Sequence, residues 1–109
     1  MAWHVLFVCS RNRLRSPTAE AVFDGMPGVE VDSAGLAPDA ETVLDAAQVD
    51  WADLIVVMER RHEARLVQQF GARLKGKRVT CVAIPDRYGY MQPELVAMLE
   101  RKVRPLLVR

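Results

Sequence analysis

Cys9 and Arg15 stand six residues apart in the stretch Cys9-Ser10-Arg11-Asn12-Arg13-Leu14-Arg15-Ser16, and residue types at that spacing suggest chemistry on an anion. The apolar run from Trp3 to Val8 predicts a buried parallel strand, and Pro17 suits the first position of a helix, so the stretch between them is a loop entering a helix N-terminus. Such a loop collects backbone N–H groups and the positive end of the helix dipole. A thiol held in that field loses its proton more readily, and the thiolate is the nucleophilic form. Arg15 adds a planar fork of donors suited to phosphate-like oxygens. Together these groups describe attack on phosphorus, with Ser10, Arg11, Asn12, Arg13, Leu14, Arg15 and Ser16 as the phosphate-binding loop. The bare Cys–Arg spacing is weak; requiring Ser16 beside Arg15 lowers its chance occurrence to roughly one in two hundred for this composition.

The longer run from Cys9 to Glu20 resembles the signature of the low-molecular-weight protein tyrosine phosphatases, Cys-x-Gly-Asn-x-Cys-Arg-Ser-Pro-x-Ala-Glu. Cys9, Asn12, Arg15, Ser16, Pro17, Ala19 and Glu20 match, while Arg11 replaces the glycine and Leu14 the second cysteine. Asp32-Ser33-Ala34-Gly35 and the run from Ala52 to Met58 resemble two further segments of the family in the same order, and the shorter chain resembles a compact branch of it.

That resemblance implies an α/β fold with a four-stranded parallel sheet in the order 2-1-3-4, helices on both faces and the phosphate loop after strand 1. It implies catalysis through a cysteinyl-phosphate, without cofactor or metal, on a phosphorylated substrate for which a phosphotyrosine protein is the candidate. Ser33 would hydrogen-bond Asn12 and hold the loop in shape, and Ser16 would stabilise the leaving thiolate. The family's general acid lies in an Asp-Pro pair after the fourth strand. Here the order is Pro85-Asp86, which makes Asp86 either that acid or a turn residue beside a proline. Tyr88 and Tyr90 either wall a slot for an aromatic ring or anchor their loop on the core.

The elements that must position these groups follow from composition and periodicity. At 109 residues, one domain spanning 1–109 is expected, and a net charge of +1 with 50% hydrophobic and 27% charged residues describes an ordinary globule with no call for nucleic acid. Two cysteines without metal-type spacing suggest free thiols in a reducing compartment. The first strand begins almost at Met1, and no apolar run approaches the roughly 18 residues of a membrane span, so a cytoplasmic location is expected and no membrane partner. Nothing in the sequence indicates an oligomeric state.

Along the chain, Ala19, Val22, Phe23 and Met26 mark one face of a first helix that Gly25, Pro27 and Gly28 stop. Val29 and Val31 alternate with Glu30 and Asp32 in an edge strand, after which Ser33-Ala34-Gly35 is expected to turn. Asp39 is placed to cap a short helix carrying Ala40, Val43, Leu44 and Ala47. Leu54 to Met58 reads as a buried strand, and Glu59 to Phe70 as a helix with Leu66, Val67 and Phe70 inward. In that helix Glu59 complements the dipole and His62 reads as a solvated surface residue, as does the basic face from Arg60 to Arg78. His4 reads as a satisfied or edge residue. Val79 to Ile84 is the fourth strand, with Cys81 as a small buried hydrophobe. Leu95, Val96, Leu99 and Val103 form the inner stripe of a last helix that Pro105 limits.

Other functions use similar residues. An arsenate reductase-like thiol enzyme needs resolving cysteines, and only Cys81 remains for that task. A sugar-transport phosphocarrier also uses a loop cysteine but has no need of the closing arginine. A non-catalytic phosphate- or phosphopeptide-binding module would leave Cys9 incidental and Asp86 out of place.

Overall fold

The computed structural model describes residues 2–108. Four strands, β1 (Trp3–Cys9), β2 (Val29–Gly35), β3 (Leu54–Val57) and β4 (Arg78–Cys81), pair in parallel in the order β2-β1-β3-β4. Between them lie α1 (Arg15–Phe23), α2 (Ala46–Trp51) and α3 (Arg60–Phe70), which runs into a 3-10 turn at Gly71–Leu74; α4 (Pro93–Leu107) follows β4.

The apolar runs at the centre of the sheet are sorted by strand alternation into two layers. Val5, Phe7 and Cys9 of β1, with Leu54 and Val56 of β3, pack against Ala19 and Phe23 of α1 and Leu95, Leu99 and Val103 of α4. Leu6, Val8, Ile55 and Val57 pack on the opposite face against Val49 of α2 and Leu66 of α3. Both faces of the central strands are thus covered, and Val5 to Val8 are fully buried. The strand order reverses at β1, so its carboxyl end opens on the crevice of a switch point, and Cys9 is the last residue there.

Several local expectations are corrected. Ser33, Ala34 and Gly35 do not turn but extend β2, because each pairs with β1 in register, Gly35 opposite Cys9. Asp39 caps nothing; α2 starts later, with Asp45 accepting from Gln48 N and the Gln48 side chain accepting from Asp45 N. Val43 is half exposed, Val67 lies on the outer side of α3, and Leu66 alone of the expected α3 stripe is fully buried. The last helix passes through Pro105 to Leu107, since a proline this close to the end forfeits only one helical hydrogen bond. β4 ends at Cys81; Val82 N still donates to Val57 of β3 and Ile84 N to Met58 just beyond it, but between them Ala83 takes a left-handed conformation with φ of 53°. Cys81 is half-buried against the second core layer. His4 is satisfied, stacked on Trp51 at 4.5 Å and bonded to the Trp51 carbonyl and Glu30. No helix among the described residues is long and apolar enough to cross a membrane.

Candidate active site

The loop from Ser10 to Leu14 is held from two sides. β2 and the segment after it supply the first: Leu36 N donates to the Cys9 carbonyl, Ala37 N to that of Ser10 and Glu41 N to that of Arg11, at 2.8–3.0 Å. Gly35 makes the approach possible, because a Cβ there would stand 2.6 Å from the Ser10 carbonyl oxygen. Buried side chains supply the second. Asn12 adopts a φ of 55°, a conformation asparagine tolerates better than most residues, and its Nδ2 donates at 2.9 Å to both Ser16 Oγ and Ser33 Oγ.

The groups at the outer end of this network fix their own proton directions. Ser33 Oγ spends its one proton on the Glu20 carboxylate at 2.5 Å, so it must accept from Asn12, and the Asn12 atom between the serines is therefore the nitrogen. Ser16 Oγ then accepts from Asn12 as well, and it lies 2.9 Å from Cys9 Sγ in a hydrogen bond that either atom can donate. The Asn12 backbone N–H also points at Sγ, at 3.3 Å. Glu20, which the sequence marked only as a matching residue of the signature, is the outer end of this hydrogen-bonded chain.

Arg15 is 2% exposed, and one nitrogen carries its anchoring. Nη1 donates to Glu59 Oε2 at 2.5 Å and to the Ile84 carbonyl at 2.7 Å. Nε lies 3.7 Å from Asp86 Oδ1, beyond hydrogen-bond distance. The Nε/Nη2 edge, the pair fitted to two oxygens of one phosphate, thus has no hydrogen-bond partner among the described residues. Partial burial pushes the Glu59 carboxyl up, but hydrogen bonds and charge from Arg61 and Arg15 outweigh it and hold the group down at about 2.

His62 is buried, contrary to its expected place on the surface. As the third residue of α3 it folds back over the helix start, where Nδ1 accepts from Glu59 N at 3.1 Å and Nε2 meets Ser10 Oγ at 2.9 Å. Burial, reinforced by the charge of Arg15, pushes it down to about 4. The Glu59/His62 spacing is that of a capping pair, which was the one local signal for this arrangement.

These groups surround an open cavity of about 560 Å³ lined by Cys9, Ser10, Arg15 and Asp86, with Arg11, Arg13, Leu14, Leu36, Ala37, Arg61, His62 and Arg65 around them. Cys9, Arg15 and Asp86 therefore come together although β4 separates the last from the first two. Asn12 and Ser16 lie beneath the cavity as supports. Tyr88 packs on the core and Tyr90 is exposed; neither lines the cavity, because the loop carrying them turns toward α1, where Met91 N donates to Thr18 Oγ1. Arg11 and Arg13 pair with Asp39 and Glu41 at the surface, which offsets part of their positive field. No cluster of potential metal ligands occurs among the described residues.

Comparison with known proteins points to one family. Residues 4–50 match the family model of the low molecular weight phosphotyrosine protein phosphatases. A protein-arginine-phosphatase of Geobacillus stearothermophilus is 30% identical, in a match that spans 64% of this chain and 64% of that protein's length. The solved arginine phosphatase YwlE from the same organism superposes with a TM-score of 0.76 at 24% identity, over 95% of this chain and 92% of the other. Vibrio vulnificus Wzb, solved with benzylphosphonate, gives 0.77 at 23% identity over 98% of both chains. The chain thus resembles this family in sequence over residues 4–50 and in fold over nearly its whole length.

Proposed function

We propose that this chain, a relative of the low-molecular-weight phosphotyrosine protein phosphatases, is a cysteine-dependent phosphatase that works through a cysteinyl-phosphate. The observation that carries this reading is the meeting on one cavity of Cys9 Sγ, the Nε/Nη2 edge of Arg15, which makes no hydrogen bond among the described residues, and the Asp86 carboxyl, with Ser16 Oγ hydrogen-bonded to the sulfur. The Cys9 thiolate attacks phosphorus, forming the S–P bond as the bond to the leaving group breaks. Loop N–H groups and Arg15 hold the equatorial oxygens, and Asp86 gives its proton to the leaving atom. Asp86, now ionised, takes a proton from water as that water attacks phosphorus, and the S–P bond breaks to release phosphate and a thiolate that Ser16 stabilises. An anion-binding module would need neither a hydroxyl held against the sulfur nor a carboxyl beside Arg15.

Two substrate classes fit the chemistry. Phosphotyrosine is the family's named substrate, yet among the described residues no Phe, Tyr or Trp lines the cavity. Phosphoarginine is the alternative, favoured by the activity named for the Geobacillus relative; its P–N bond also needs a proton on the departing atom. Hydrolysis of matched phosphotyrosine, phosphoarginine and phosphoserine peptides and of sugar phosphates tests the reading. Turnover of one of the first two, lost in Cys9→Ser, is expected; no turnover of any, or turnover that survives Cys9→Ser, overturns it.

A further inference from the structure

The cavity holds one hydroxyl whose orientation is dictated by a residue 52 positions away. The Glu59 backbone N–H can only donate, so the His62 Nδ1 facing it at 3.1 Å is an acceptor and carries no proton. The neutral ring therefore bears its proton on Nε2, and that N–H donates to Ser10 Oγ at 2.9 Å. The ring cannot exchange these roles, because a proton on Nδ1 would set two donors against each other inside a buried site. Ser10 Oγ, having accepted from His62, retains its own proton, and no group among the described residues accepts it. Ser10 lines the cavity beside Cys9.

We propose that His62 is a positioning residue that makes the Ser10 hydroxyl a donor aimed at the anion, so that the cradle contains a side-chain hydrogen bond in addition to its backbone donors and Arg15. A serine hydroxyl without such a neighbour rotates among several partners, water included. Here the Nε2–H occupies the lone-pair side and leaves the O–H to the cavity. The start of α3 is thereby coupled to the phosphate loop: the residue that closes the helix end with Nδ1 also sets the loop hydroxyl with Nε2. This inference rests on reading the cavity as a phosphate site.

The test is a double-mutant cycle on the full chain, read as affinity for inorganic phosphate and as kcat/KM on an aryl phosphate. Ser10→Ala is expected to weaken phosphate roughly tenfold, the scale of one hydrogen bond to a charged group. His62→Ala is expected to do the same in the parent but to add less than about twofold in the Ser10→Ala background, since it acts through that hydroxyl. His62→Gln, whose amide can accept from Glu59 N–H and donate to Ser10, should recover most of the loss. It keeps the test decisive if His62→Ala fails to fold. Thermal stability should fall with His62→Ala in both backgrounds, which separates the helix-capping role from the positioning role. Independent, multiplicative losses in a parent that binds phosphate, or no loss from Ser10→Ala, would overturn the inference alone. A parent that binds no phosphate would overturn the site reading itself.

Discussion

The α-carbon of Gly35 faces the carbonyl of Ser10 so closely that a β-carbon would lie 2.6 Å from that oxygen and 3.0 Å from the Arg11 carbonyl carbon. Both are backbone atoms of the phosphate loop, so neither can swing away. Gly35→Ala should therefore push the loop outward rather than simply crowd the core. Overpacking of this kind costs about 1–3 kcal/mol of stability, but displacement of the cradle is the larger effect, and kcat/KM should fall by about a hundredfold. Kinetics together with a denaturation curve check this; unchanged kcat/KM would show that the loop does not depend on β2 for its position.

The pH dependence of stability should show two separate losses. Histidine titrates at 6.5 when unperturbed and His62 at about 4 in the fold, so between those values the unfolded chain binds a proton that the fold refuses. Stability is then full above pH 6.5 and falls as acid is added down to pH 4, by on the order of 3 kcal/mol. Glu59 moves from 4.5 to about 2, so the fold holds its carboxylate while the unfolded chain protonates, and a second loss follows between those values. Denaturant unfolding at a series of pH values should resolve both. His62→Gln should flatten the first window and leave the second.

These two residues also show where sequence reading stops. The central strands were legible because β1 and β3 are buried on both faces and read as unbroken apolar runs, and the phosphate loop because its residues are contiguous. The 2-1-3-4 order came from the resemblance, since parallel pairing leaves no local mark. His62 was read as solvated because its burial depends on Ser10, which no periodicity within α3 reports. Glu59 was read as a dipole partner, and its grip on Arg15 spans 44 positions. The cap at Asp45 in place of Asp39, and the failure of Tyr88 to reach the cavity, are likewise decided by tertiary packing.

Asp86 is half exposed at the cavity and stands 3.7 Å from Arg15 Nε, where it can meet a leaving group. If it supplies the proton, Asp86→Asn should lower kcat/KM for phenyl phosphate by about a hundredfold or more. A strongly activated aryl phosphate, which departs without help, should suffer far less. The ratio of the two losses is the measurement. Equal losses, or none, would make Asp86 a turn residue and move the search for the acid elsewhere on the cavity.

The central claim is that Cys9 carries the phosphoryl group during turnover. Rapid mixing with an aryl phosphate, acid quenching and peptide mapping by mass spectrometry read this directly. The expected result is a phosphate on Cys9 that appears within the first turnover and decays as substrate is exhausted, and that is absent from the cysteine of untreated protein. Turnover with no phosphorylated Cys9 at any quench time, or undiminished turnover in Cys9→Ser, would contradict the account.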